Sequence, residues 1–148
     1  MTLEEAQADI RRAYVGGGPG AIVSGVVWLF AAVMVSQLGV PTGFVALFLG
    51  GMLIYPAGVF LSRKVFRRTA EDQSNQLGRT ALESTIAMIG LFFAGWLFLP
   101  VQRSLVFPLS AMAVGLHYLA FRTVYGDATY WLLAAVITGI GLDRKSVV

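Results

Sequence analysis

The sequence predicts an all-α fold, a polytopic transmembrane helix bundle, and three observations carry that prediction. Hydrophobic residues make up 57% of the chain and charged residues only 13%, where a soluble domain carries about 25% charged residues. The charges are clustered, leaving long stretches with none. Several of those stretches approach the roughly 20 residues that a helix needs to cross a bilayer core.

Residues 2–15 read as a short N-terminal amphipathic helix. Thr2 and Glu5 fit a capping box, in which each side chain satisfies a backbone N–H of the other. Leu3, Ala6, Ile10, Ala13 and Tyr14 recur at helical spacing, with Glu4, Glu5, Asp9 and Arg12 largely elsewhere. Such a helix suits the membrane interface. It is too charged to span, and its acidic start is not that of a signal peptide. Gly16-Gly17-Gly18-Pro19-Gly20 breaks it, and a proline suits the first turn of the helix that follows.

Five spans are present, at about 20–38, 43–62, 80–99, 104–121 and 128–142. Gly39-Val40-Pro41-Thr42 is a tight uncharged turn between the first two. Pro56 lies inside the second, where it removes a backbone hydrogen bond and favours a kink. Residues 63–79 form the long polar loop, and Pro100 closes the third span. The fifth is shorter than a span needs. Its end, Asp143-Arg144-Lys145-Ser146-Val147-Val148, is what GATCGGAAGAGCGTCGTG encodes, a common short-read sequencing adapter whose next codon is a stop. Residues 143–148 are therefore expected to be an assembly scar, with residues 1–142 a single integral membrane domain truncated in its last span.

Composition also excludes function classes. There is no cysteine, so disulfide and thiolate chemistry are absent, and the single histidine, His117, rules out a His-cluster metal site. No metal and no cofactor is implied, and one histidine leaves little for a nucleophile–base pair, so an enzyme ranks last. The basic pI of about 9.6 does not call for nucleic acid, because the basic residues sit beside helix ends. With the N-terminus inside, the cytoplasmic segments hold Arg11, Arg12, Arg63, Lys64, Arg67, Arg68, Arg79 and Arg122, and the outer turns hold Arg103. The positive-inside rule then sets the orientation. Arg63, Lys64, Arg67 and Arg68 serve as topogenic charges or as contacts to anionic lipid headgroups.

Glu83 is the acid that lies within an apolar run, one turn inside the third span. Intramembrane acids face a bundle interior or a wet cavity; alternatively Glu83 sits at the interface, favoured by its own helix N-terminus. His117 lies at a matching depth in the fourth span, since the two residues are four and five positions in from Arg79 and Arg122. A Glu83–His117 pair would relay a proton or bind a polar solute, or would only fix helix register. Ser24, Tyr55, Ser84 and Tyr118, with Thr129 and Tyr130, fall on the same inner half and would line a polar pocket open to the cytoplasm. Gly50 with Gly58, and Gly90 with Ala94, put small residues on one helix face, which reads as close packing.

Tyr14-Val15-Gly16-Gly17-Gly18-Pro19-Gly20, then Ser24-Gly25 and Trp28, together with Leu77-Gly78-Arg79-Thr80-Ala81-Leu82-Glu83-Ser84-Thr85, cover two characteristic stretches. In these the chain resembles a family of small bacterial integral membrane proteins known only as a domain of unknown function. That resemblance implies a bacterial inner-membrane location and brings no activity or site residues. The function expected is binding or transport of a small solute through the cytoplasm-facing pocket, the alternative a structural or regulatory membrane protein that binds a partner protein or lipid. The bilayer is the expected surrounding, and so few spans suggest a homo-oligomer.

Overall fold

The computed structural model describes residues 1–143, so all of the proposed scar except Asp143 lies outside the described residues. The secondary-structure elements among the described residues are all helices, with no strand. The chain forms two compact units, Met1–Asn75 and Gln76–Val148.

The first unit holds α1 (Leu3–Tyr14), α2 (Gly18–Leu38) and α3 (Val40–Phe60). The capping box forms. Thr2 Oγ1 accepts from the Glu5 N–H at 3.2 Å, and Glu5 Oε2 accepts from the Thr2 N–H at 2.7 Å. The helix ends where Val15, Gly16 and Gly17 take φ of 52°, 62° and 83° in succession. Two glycines in that run make the left-handed reversal accessible. The stripe Ala6, Ile10 and Ala13 is buried. It is therefore not offered to lipid as the interfacial reading expected.

Between α2 and α3 the whole connection is Gly39, at φ 86° and ψ 169°, a region open almost only to glycine. The predicted four-residue turn is thus shorter. Pro41 belongs to the first turn of α3, because a fixed φ and a missing N–H cost nothing there. Glycines then let α2 and α3 close on each other. A Cβ on Gly43 would overlap Val35 and come within 2.9 Å of the Ala31 carbonyl oxygen, one on Gly50 would meet Val27 Cγ1 at 2.6 Å, and one on Gly58 would lie 3.4 Å from Gly20 Cα. The other faces of both helices are apolar and open, with Ile22, Leu29 and Leu53 each about two-thirds exposed. A helix hydrophobic all round belongs either in a large protein core or in a membrane span.

α3 runs through Pro56 and continues as a π-helical turn, Leu61–Val65. Arg63 and Lys64 are therefore helical, and the non-helical loop is confined to 66–75. At its far end Gln76–Arg79 is helical as well, the polar first turn of α4.

The second unit holds α4 (Gln76–Phe98), α5 (Val106–Tyr125) and α6 (Thr129–Leu142), with α5 packed against both neighbours. Gly126, at φ 67°, ends α5, and Asp127 Oδ1 accepts from the Thr129 N–H at 2.8 Å to start α6. Gly115 and Gly141 bring α5 and α6 together. A Cβ on Gly115 would lie 2.9 Å from the Thr138 nitrogen and 3.0 Å from the Ala134 oxygen, and one on Gly141 would lie 2.7 Å from the Pro108 oxygen. Gly90 behaves otherwise: nothing lies within 4 Å of its Cβ position. Spacing on α4 alone suggested packing there, but which face meets a neighbour is decided by helix rotation.

The helical stretches Leu3–Leu38, Val40–Val65, Gln76–Phe98 and Arg103–Tyr125 are long and apolar enough to cross a membrane, and Thr129–Leu142 is apolar but shorter.

Candidate functional site

In the second unit, His117 lies on α5 and Ser84 on α4. Ser84 Oγ and His117 Nδ1 are 2.8 Å apart. In one tautomer the hydroxyl donates to a bare Nδ1, and in the other Nδ1–H donates to Oγ. Either way the bond uses one ring nitrogen and leaves Nε2 without a hydrogen-bond partner among the described residues. The ring also packs on Phe121, with centroids 4.2 Å apart. Phe121 in turn touches Tyr118, Tyr125 and Tyr130 at 6.0, 5.5 and 5.7 Å. Tyr125 and Tyr130 stack across the α5–α6 junction at 5.1 Å. The i, i+4 spacing of His117, Phe121 and Tyr125 puts them on one face of α5, and Tyr118 at i+1 closes the cluster.

Glu83 is next to Ser84 in sequence but points elsewhere. Its Oε1 accepts from Arg79 Nε at 3.1 Å, and both side chains are mostly exposed. One residue on an α-helix turns the side chain by about 100°. The depth match between α4 and α5 thus brings Ser84 to His117, and Glu83 forms an i, i+4 pair at the start of its own helix. The paired Ser84, His117 and Tyr118 fall together in this unit. Ser24 and Tyr55 belong to the first unit, on α2 and α3, where Ser24 is half-buried and Tyr55 exposed.

A second polar cluster lies in the first unit, where α1 is clasped to the loop. Asp9 is its hub. Asp9 Oδ1 accepts from Arg12 Nη2 at 2.6 Å, and Oδ2 accepts from the Asp72 N–H at 2.8 Å and from Asn75 Nδ2 at 3.0 Å. Asn75, itself buried, also donates to the Ala6 carbonyl at 2.9 Å. Arg12 reaches on to Thr69 Oγ1 and to the Ala70 carbonyl. Arg63 donates to the Ala13 carbonyl at 2.7 Å, the Thr69 carbonyl at 2.8 Å and Glu71 Oε2 at 3.2 Å. Tyr14 donates to Glu71 Oε1 at 2.7 Å while Arg63 sits over its ring. Burial, the Glu71 carboxylate and Tyr55 all push the Tyr14 phenol up, so it stays a donor. Of the four basic residues assigned to topogenesis or lipid, Arg63 is thus engaged within the protein.

The model of one family, described as a family of unknown function (DUF7010), matches residues 3–142. The chain belongs to that family. No curated protein and no solved structure matches it.

Sequence reasoning on this DUF7010 protein missed Asp9, Arg12, Tyr14, Glu71 and Asn75 as a set. Asp9 and Arg12 were legible as the polar face of α1. Their complement lies about sixty residues away, and nothing local in either segment names the other. One signal was available. Glu71 and Asp72 follow the basic run 63–68 directly, and acids placed there are available to hold one of its arginines.

Proposed function

We propose that this DUF7010 protein is a small multi-pass protein of the bacterial inner membrane, with a cytoplasmic N-terminus, that binds a small polar solute at the Ser84–His117 pair. The observation that carries the reading is the 2.8 Å Ser84–His117 bond between α4 and α5, which orients the imidazole and leaves Nε2 to a ligand. An imidazole nitrogen held among aromatic rings offers one directed hydrogen bond and flat apolar surface, a combination suited to small ligands. With Glu83 directed to Arg79, the pair holds no carboxylate. That favours a neutral solute over the carboxylate–histidine proton relay. Eight basic residues on one side of the spans against one on the other support the orientation.

His117 is the one histidine in the chain, so its ring nitrogens give a single reporter by ¹⁵N NMR. A panel of sugars, amino acids and polyols is titrated onto the detergent-solubilised protein. A solute that binds here is expected to shift Nε2 saturably. Ser84→Ala is expected to move the Nδ1 resonance, while Glu83→Gln leaves both nitrogens in place. An Nδ1 resonance that follows Glu83→Gln and ignores Ser84→Ala would sink the site.

A second reading, a structural or regulatory membrane protein that binds a partner, is favoured by the clasp that holds α1 on the 66–75 loop. A folded feature of this kind presents a defined surface beside the spans. It predicts that clasp variants change partner retention while His117→Ala does not.

A further inference from the structure

We propose that Lys64, Arg67 and Arg68, with Val65 and Phe66 between them, form a binding site for the headgroup of an anionic glycerophospholipid at the end of α3. Arg63 is drawn into the clasp and neutralised by Glu71 at 3.2 Å. The nearby acids are engaged as well. Asp72 accepts from the Ser74 backbone and hydroxyl, and Asp9 from Arg12. The remaining three cations are exposed, and among the described residues none makes a side-chain hydrogen bond or ion pair. Their charge is therefore uncompensated within the segment, which is what a phosphodiester requires.

Apolar residues share the surface. Val65 and Phe66 are 59% and 47% exposed, one π-helical turn beyond Phe60, itself 59% exposed. An aliphatic and an aromatic side chain at the end of a spanning helix suit the acyl–headgroup boundary, with long basic side chains reaching out to the phosphates.

The backbone at Arg67 is the independent observation. Arg67 has φ 52°, in the left-handed region where a helix end normally carries glycine. The turn is locked by the Phe66 N–H to the Leu61 carbonyl at 3.0 Å and the Arg68 N–H to the Ser62 carbonyl at 2.9 Å. A long side chain kept where glycine would fit with less strain points to a use for that side chain. The lock also sets Arg67 and Arg68 on a fixed turn beside Lys64.

Native mass spectrometry of the whole chain, released from micelles containing phosphatidylglycerol or phosphatidylcholine, tests the proposal. Phosphatidylglycerol is expected to be retained more tightly. Lys64→Gln, Arg67→Gln and Arg68→Gln together are expected to weaken retention by on the order of a hundredfold, about fivefold for each charge. Arg67→Gly separates binding from folding, because it relieves the left-handed strain while removing one charge. It is expected to keep or raise thermal stability and still weaken retention about fivefold. Equal retention of the two lipids, or retention unchanged in the triple variant, overturns the proposal. Displacement by millimolar inorganic phosphate would also overturn it, in favour of a site for soluble phosphate.

Discussion

Gly115→Leu is expected to destabilise the protein sharply, while Gly90→Leu changes little. Both residues lie inside apolar helices, and leucine favours membrane insertion at either site. The difference lies in what surrounds them. A Cβ at Gly115 meets the Thr138 nitrogen at 2.9 Å and the Ala134 oxygen at 3.0 Å, whereas at Gly90 nothing lies within 4 Å. The Thr138 hydroxyl is nearer still and can rotate away, but these two backbone atoms cannot, so α5 and α6 must separate. Overpacking of this kind costs about 1–3 kcal/mol, and more where backbone must shift. Separation would also disturb the Tyr125–Tyr130 stack at the same junction. Unfolding of the purified protein titrated with dodecyl sulfate, followed by circular dichroism, reads the difference. Equal midpoints for the two variants would mean that α5 and α6 do not pack through Gly115.

Asp9→Ala is expected to release α1 from the loop without unfolding the spans. The substitution removes one carboxylate and three hydrogen bonds at once, those from Arg12 Nη2, the Asp72 N–H and Asn75 Nδ2, while Arg12 and Asn75 keep the Ala70 and Ala6 carbonyls. Leaving donors unsatisfied in a partly buried place costs about 1–3 kcal/mol. Hydrogen exchange of the amides in α1 and 69–75 should speed up, with α2 and α3 unaffected. The clasp should also open in acid. Burial works to raise the Asp9 pKa, but the hydrogen bonds from Asn75, the Asp72 N–H and Arg12 outweigh it and hold the carboxyl below its usual range. A carboxylate depressed in the folded state contributes stability that is present above the ordinary value near about 4. That stability is lost as pH falls through the folded value. Asp72 is also held low, by Ser74. Asp9→Asn should remove most of the acid step in exchange and Asp72→Asn only part of it. An acid step that persists unchanged in Asp9→Asn would assign it to another group.

The elements were legible because their causes are local. Thr2 and Glu5 announce the start of α1, and Gly16 and Gly17 its end. Apolar length announces the spans, and Gly39 marks one of the turns. The misjudged boundaries share one cause. Hydropathy reports where a helix is apolar and not where it stops being helical, so Arg63–Lys64 and Gln76–Arg79 were read as loop. The candidate site was legible in part. Ser84, His117 and Tyr118 were all named, yet the partner of His117 was taken to be Glu83 on matched depth, which leaves helix rotation open.

By itself the sequence determined the helical class, the apolar stretches long enough to span and the capping box. Each depends on composition or on residues a few positions apart. Only the tertiary structure decided which side chain meets His117, which glycines are in contact, which arginine is clasped, and what holds α1. Those outcomes depend on the rotation of each helix about its own axis and on residues that belong to different elements of the fold. Hydropathy in a helix that is apolar all round carries almost no information about that rotation.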